Sequence, residues 1–372
     1  MALEQLITTP VEDLDTPCLL LDLDTLEKNV EYMAGYVAER GVALRPHVKT
    51  HKSPVFARKQ MAAGAIGVCC QKVGEAEVMV AGGIEDILVS NEVVGRAKIA
   101  RLAGLARHAR IAVVVDNLEN VEALGQAARD AGVTLDVLIE VDIGQSRCGV
   151  PPGEPAVALG KKVVQTQGLA LRGLQGYHGA LQHCSGFAER KRQYQVALVD
   201  LKRTKELFDS SGLPTEVISG GGTGTYRFDV ESGLMTEIQP GSYVVMDRHY
   251  RSIGGPVGEA YEDFECALFV LATVMSIPGE ARVVTDAGLK VLSTDSGMPA
   301  VVGLEGAEYQ AAGDEHGKIL LAPEGPQLRL GDKVRLLPSH CDTTINLHDT
   351  YYGVRAERVE VIWPVAARGR SQ

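Results

Sequence analysis

Two histidines, two lysines and an arginine crowd around Pro46 in LRPHVKTHK, residues 44–52. Such a cluster could be a solvated basic surface, a metal site or the seat of a reactive lysine. Lys49 has the most chemistry open to it, because an amine held away from water has a lowered pKa and attacks carbonyls. On an extended segment Arg45, His47 and Lys49 share one face, with Leu44, Pro46 and Val48 on the other. Lys52, further on, is expected to be the solvated member. A second group is the run Gly220, Gly221, Gly222, Thr223, Gly224, whose amides, uncovered by side chains, could close on a phosphate. PGSY, residues 240–243, offers Gly241, Ser242 and Tyr243 as a companion. A third group is SHCDTTINLHD, residues 339–349. On an extended segment His340 and Asp342 would project to one side and offer a divalent cation one nitrogen and one oxygen. Each group also has a plainer reading, as an exposed lysine, turn glycines or a polar loop.

Positioning these residues falls to alternating elements. After CLLLDLD, a short strand, Asp24 with Glu27 three residues on reads as a helix start, and Leu26, Val30, Met33 and Val37 fall on one helical face. Eight apolar runs then follow: VALRPHV, AIGVCC, DILVS, IAVVVD, LDVLIEVD, LRGLQGYHG, TEVISGG and TEIQPG. Most are separated by stretches of helical spacing, such as ERKRQYQVALVDLKRTKELFDSSG. Strand-helix alternation implies a parallel sheet covered by helices, and eight units match a closed (β/α)8 TIM-type barrel, with a doubly wound sheet as the alternative. Residues 221–236 leave little room for a helix. Beyond residue 258 strands without long helices imply a C-terminal all-β domain. The expected division is 1–25, an N-terminal segment associated with the β domain; 26–257, the barrel; and 258–372, the β domain. In barrels catalytic groups sit at the C-terminal ends of strands and phosphate often binds after strands seven and eight. Lys49 and both glycine segments fall in those places.

Acidic residues outnumber basic ones 48 to 37, giving a formal net charge of −11, so the global field disfavours nucleic acid and anionic membrane surfaces as partners. No run of about 18 apolar residues occurs, and MALEQLITTPVEDLDTP lacks the order of a signal peptide. The 7 cysteines show no CxxC spacing and read as reduced thiols, which with the missing signal implies a cytoplasmic protein.

DTPCLLLDLD, RPHVKTHK, GVCCQKVGEAE, DILVSNEVVG, EVDIGQSRCGV, LQGYHGALQH, GGGTG, PGSY, DAGLK, DEHG and PSHCDTTINLHD, in this order, span nearly the whole chain. Together they resemble the D-threonine aldolase family, fold-type III pyridoxal phosphate enzymes related to the alanine racemase barrel. The resemblance implies a Schiff base between Lys49 and pyridoxal 5′-phosphate. It places Gln71 and Arg147 near the ring and its 3-hydroxyl, and Tyr177 against the ring. Gly221, Gly222 and Thr223, with Gly241, Ser242 and Tyr243, become the phosphate cradle. His340 and Asp342 become ligands of a divalent metal (Mn, Mg, Co or Zn), His183 the base beside the substrate hydroxyl, and Asp314 an acidic neighbour of that site. A head-to-tail homodimer is implied as well. The activity implied is cleavage of D-threonine and other D-3-hydroxy amino acids to glycine and an aldehyde.

Three rivals stay open. A 3-hydroxyaspartate aldolase shares the chemistry and differs in the side chain recognised. D-serine and 3-hydroxyaspartate dehydratases expel water from Cβ and are expected to carry His then Cys at the i, i+2 ligand positions; here i+2 is Asp342, with Cys341 between. A non-catalytic pyridoxal phosphate carrier has no use for the β domain and its His340/Asp342 pair.

Overall fold

The computed structural model describes residues 3–372. Residues 1 and 2 of the expected N-terminal segment lie outside the described residues. The chain forms two compact units: Met1–Glu31 with Thr50–Ser53 and Ser242–Arg368, and Tyr32–Lys49 with Pro54–Gly241 and Gly369–Gln372.

In chain order the strands begin with β1 (Cys18–Asp22), which belongs to the first unit. The second unit is built on β2 (Ala43–Leu44), β3 (Val68–Cys70), β4 (Asp86–Glu92), β5 (Arg110–Val115), β6 (Leu135–Val141), β7 (Leu169–Gly176), β8 (Val217–Gly220) and β9 (Glu237–Ile238). Every pairing among them is parallel, in the order β2-β9-β8-β7-β6-β5-β4-β3. A parallel bridge between His47 and Cys69 closes the ring, with the Cys69 N–H on the Pro46 carbonyl and the Val48 N–H on the Cys69 carbonyl. The eight apolar runs are thus the eight strands of a TIM-type barrel. Valine, isoleucine and leucine dominate them because strands buried on both faces have no solvent side to make polar. All seven residues of β6 are buried.

Helices α1 (Leu23–Ala38), α2 (Pro54–Ala62), α3 (Val73–Ala81), α4 (Arg96–Leu105), α5 (Leu118–Ala131), α6 (Glu154–Gln165) and α7 (Phe187–Ser210) alternate with the strands. In α1 the buried face is Leu26, Val30, Met33 and Val37, the stripe expected from a 3.6-residue period. The segment with little room for a helix nonetheless forms one, α8 (Tyr226–Glu231), whose Tyr226, Phe228 and Val230 are buried. Six residues suffice when tertiary burial rather than propensity stabilises the turn.

The first unit carries a nine-stranded sheet built from β1 and from β10 (Leu268–Gly279), β11 (Arg282–Thr285), β12 (Ala300–Val301), β13 (Glu308–Ala311), β14 (Gly317–Leu320), β15 (Lys333–Leu337), β16 (Thr350–Arg355) and β17 (Arg358–Pro364). Its pairings are antiparallel except β1 with β16. Two short helices accompany it, α9 (Arg248–Arg251) and α10 (Cys341–Ile345). Among the described residues no helix is long and apolar enough to cross a membrane.

Candidate active site

Lys49 ends the barrel unit's first strand region, but not on a strand. Regular pairing stops at Leu44, His47 makes an isolated bridge, and Val48–His51 form a turn. The expected face alternation therefore gives way to a local contact. The His47 Nδ1 accepts the Lys49 backbone N–H at 3.3 Å, which leaves the ring proton on Nε2. That nitrogen faces Gln71 Oε1 at 3.1 Å and Ser90 Oγ at 3.3 Å. Gln71 is itself held through its N–H by Glu75 Oε2 at 2.7 Å, at the start of α3. Lys49 is half-buried. Arg45 is almost fully buried and paired with Glu237 (3.0 Å) and Asp86 (2.5 Å) inside the barrel. It is a structural cation, not part of a basic surface.

The expectation that Lys52 is solvated is wrong. It is 7% exposed, with φ +52, and its carbonyl accepts the Ala367 N–H. His51, in the same turn, is fully buried, and its carbonyl accepts the Tyr351 hydroxyl at 2.7 Å. Backbone acceptors at His51 and Lys52 tie this segment down, and both side chains lie inside.

The loop after β6 carries Arg147, an exposed residue whose guanidinium lies 5.2 Å from the Tyr177 ring centroid. Asp142 Oδ1 stabilises that loop by accepting the Gly144 and Ser146 N–H groups. The Arg147 Nη2 is also 3.9 Å from Glu140 Oε1. Glu140 went unnoticed among apolar residues, yet a carboxyl within a buried strand was the available signal. Burial first, then the neighbouring Glu92, push it up to about 8. Gln175 donates to it at 3.0 Å, and Gln239 bridges Gln175 and Ser219, which in turn donates to Glu237. A continuous polar chain thus crosses the barrel from Arg45 to Glu140.

Past β7, Tyr177 and His178 are half-buried, and His183 ends a 3-10 turn (Gly179–His183). The His178 Nδ1 is buried without a hydrogen-bond partner among the described residues, and burial lowers its pKa.

Past β8 the glycine run is fully buried. Gly221 has φ +72 and a Cβ there would run into the Asp229 carboxyl group; one on Gly222 would come within 2.6 Å of Gln182 Oε1, and one on Gly224 would strike the Gln182 backbone. Glycine is required at 221 by its φ and at 224 by the backbone it meets, whereas at 222 the Gln182 side chain would have to shift. The result is a cradle of backbone amides at the C-terminal end of a barrel strand, suited to an oxyanion. Gly241 ends the barrel unit, whereas Ser242 and Tyr243 are counted with the other; all three are buried.

The third group takes a different shape from the one its sequence suggests. His340 caps α10 and Asp342 lies within that helix, so the two do not alternate along a strand. The cause is distant in sequence: the buried Asp247 carboxylate accepts the Cys341 N–H at 3.0 Å and starts the helical turn there. The two side chains nevertheless belong to one polar corner. Asp295 Oδ2 holds His340 Nδ1 at 2.7 Å, and Ser242 Oγ is 3.3 Å from Asp342 Oδ1. Burial opposes protonation of His340, but Asp342 and Asp295 outweigh it and raise its pKa. Asp295, by contrast, sits below the ordinary carboxylate range: burial works against ionisation, and Ser293 and His340 as donors overcome it. Sequence reading missed Asp295, 45 residues from its partner. Among the described residues no group of three or more His, Cys, Asp or Glu converges as a ready metal cage. Asp314 is exposed and 3.7 Å from Lys290.

The sequence profile of the alanine racemase N-terminal domain matches residues 21–249, and that of a putative serine dehydratase domain matches residues 267–354. The chain is 46% identical over 365 residues to D-threonine aldolase of an Arthrobacter species, covering 98% of this chain and 95% of that protein. It is 43% identical over 362 residues to 3-hydroxy-D-aspartate aldolase of Paracoccus denitrificans, covering 96% and 93%. Its fold superposes on the crystal structure of D-threonine aldolase from Filomicrobium marinum with a TM-score of 0.93 at 46% identity, covering 98% of both chains.

Proposed function

Because the chain belongs to the D-threonine aldolase family, pyridoxal phosphate lyases of alanine racemase-like fold, we propose that it splits D-threonine and related D-3-hydroxy amino acids between Cα and Cβ, giving glycine and an aldehyde. The observation that carries this reading is the barrel unit itself, which places a half-buried lysine after its first strand and a glycine-rich amide cradle after its seventh. Pyridoxal 5′-phosphate fits that pair: an amine for its aldehyde, amides for its phosphate. When bound, it supplies an electron sink for the bond broken at Cα.

The chain's own residues do the rest. Lys49 holds the cofactor covalently, with its backbone fixed by His47. Gly221, Gly222 and Thr223, with Gly241, Ser242 and Tyr243, hold the phosphate. Gln71 and Arg147 orient the ring and its 3-hydroxyl, and Tyr177 packs on the ring. His183 takes the proton from the substrate's β-hydroxyl oxygen as general base. Stereochemistry at Cα follows from which substituent these groups hold perpendicular to the ring.

His340 and Asp342 are the proposed ligands of one divalent cation. The donor set fits: the His340 Nδ1 is engaged by Asp295, which leaves Nε2 for a metal, and Asp342 brings an oxygen. Such an ion would lower the pKa of the β-hydroxyl. One imidazole and one carboxylate, with other positions open, suit Mn, Mg, Co or Zn. Asp314 is proposed as an acidic neighbour of this corner. A head-to-tail homodimer in the cytoplasm completes the reading.

Incubation with D-threonine, with and without a chelator, tests it. Glycine plus acetaldehyde, lost on chelation, is the expected outcome. 2-Oxobutanoate plus ammonia would make the protein a dehydratase. No turnover of any D-3-hydroxy amino acid despite a bound chromophore would make it a carrier. A second aldolase reading follows from the similarity to the Paracoccus enzyme: a large preference for 3-hydroxy-D-aspartate over D-threonine would establish it.

A further inference from the structure

The glycine run does not hold its own shape. Three side chains from outside it make contacts that fix Gly222 to Thr225. Gln182 accepts the Gly224 N–H with Oε1 at 3.0 Å and donates through Nε2 to the Thr225 hydroxyl at 2.9 Å. Arg190, fully buried on α7, donates Nε to the Gly224 carbonyl at 2.9 Å and a second N–H to the Cys184 carbonyl at 2.7 Å. Asp229, fully buried on α8, accepts the Thr225 hydroxyl on Oδ2 at 2.8 Å and, more loosely, the Gly222 N–H at 3.4 Å. The Tyr194 hydroxyl of α7 faces the same carboxyl group. The carboxyl also fills the space a Cβ on Gly221 would take, so it sits directly behind the amides.

A carboxyl group behind an oxyanion cradle is a peculiar choice, because an ionised one would repel a phosphate and compete with it for N–H donors. Geometry gives it a use. Gln182 occupies the Gly224 N–H fully, while the long contact from Gly222 leaves that amide only weakly engaged and free to turn toward an incoming oxyanion. We propose that Asp229 is a positioning residue for the cofactor phosphate: through Thr225, with only a loose contact to Gly222, it holds the glycine run in its anion-receiving conformation without touching the anion. Burial, opposed by the nearby Tyr194 hydroxyl and by Thr225 and the Gly222 N–H as donors, pushes this carboxyl up to about 7, so about half of the carboxyl groups still carry the proton that spares the phosphate at neutrality, and more do below it. The inference rests on the reading that the glycine run holds the cofactor phosphate.

The test compares pyridoxal 5′-phosphate with pyridoxal, which lacks the phosphate, by absorbance titration of the full chain stripped of cofactor. For Asp229→Ala the affinity for pyridoxal 5′-phosphate should fall about tenfold or more, the size of one or two lost hydrogen bonds, with pyridoxal unchanged within about twofold. Asp229→Asn, isosteric and always neutral, should restore the preference at pH 7 and keep it to pH 9, while that of the natural chain declines above pH 7. Equal losses with both cofactors in Asp229→Ala, or none, would overturn the inference. If Asp229→Ala does not fold, the Asn variant decides: identical pH curves for it and the natural chain would overturn the inference. A natural chain that binds pyridoxal as tightly as pyridoxal 5′-phosphate would instead refute the cradle reading beneath it.

Discussion

Glu140 and Asp229 in the barrel unit and Asp295 at the His340 corner hold their carboxyl groups in opposite ways. In the barrel, Glu140 and Asp229 are buried and pushed up to about 8 and about 7, so both tend toward the neutral acid. At the corner, Asp295 is half-exposed at 45%, surrounded by donors and held below the ordinary carboxylate range. Near neutral pH Asp295 keeps its charge, whereas Asp247, buried beside Cys341 at the same corner, is raised by burial as the barrel pair are. The difference between Asp295 and the barrel pair matches the ligands proposed for the two sites: an anionic phosphate needs amides without a competing anion, whereas a divalent cation needs ionised oxygen donors. The two proposed sites also differ in what they need. Backbone amides need only a rigid turn, but an ion can gather its remaining positions from water or substrate.

Lys49→Ala should break the barrel side of that contrast most severely. We expect loss of the visible absorbance of the lysine-bound cofactor and a fall in turnover of roughly 10³-fold or more; retained absorbance would show that another amine holds the cofactor. His340→Ala and Asp342→Ala should break the other side and spare the first. Metal-dependent turnover should drop by about 10²-fold or more while the absorbance stays, since each removes half of the chain's proposed donor set. Absorbance lost together with activity in these variants would dissolve the separation between the two regions.

What the sequence disclosed follows the range of its signals. The eight strands were legible because each is an apolar run bounded by its own turn signals, and Gly221 and Gly224 because glycine at a strand end marks a place where no side chain fits. Periodicity within an element says nothing about partners across the fold. Asp247 starts a helix at Cys341 from 94 residues away, which is why the reading of His340 and Asp342 as strand neighbours failed. Lys52 lies inside, in a segment tied by backbone contacts that no local pattern encodes. Gln182, Arg190 and Asp229 reach the glycine run from separate elements, and no spacing rule links them to it.

Asp295→Ala sharpens the comparison with a smaller effect. It removes the acceptor on His340 Nδ1 without removing a proposed ligand, so metal affinity should weaken by about 10- to 100-fold. Saturating metal should then restore turnover, which it cannot do for Asp342→Ala. Failure of high metal concentrations to rescue Asp295→Ala would make Asp295 a ligand in its own right.

Glu140→Gln gives the smallest effect and the most direct reading of the neutral barrel. In the unfolded chain this carboxyl loses its proton near 4.5, whereas in the folded chain it keeps it to about 8. Between those values the folded state binds the extra proton, so stability falls as pH rises, by up to about 1.4 kcal/mol per pH unit for one proton. Glu92 shares the site, so the slope belongs to the pair and not to one residue. Glutamine has no proton to lose and can still accept from Gln175. Denaturant unfolding of both proteins from pH 4 to 9 therefore gives a diagnostic difference. The variant should gain on the natural protein steadily from pH 5 to 8, with no further gain above. Titrating groups away from this pair, Asp229 among them, are common to both chains and cancel. A difference that stays flat across this range would mean that Glu140 ionises normally inside the barrel, and the contrast would fail at one of its two buried carboxyl groups.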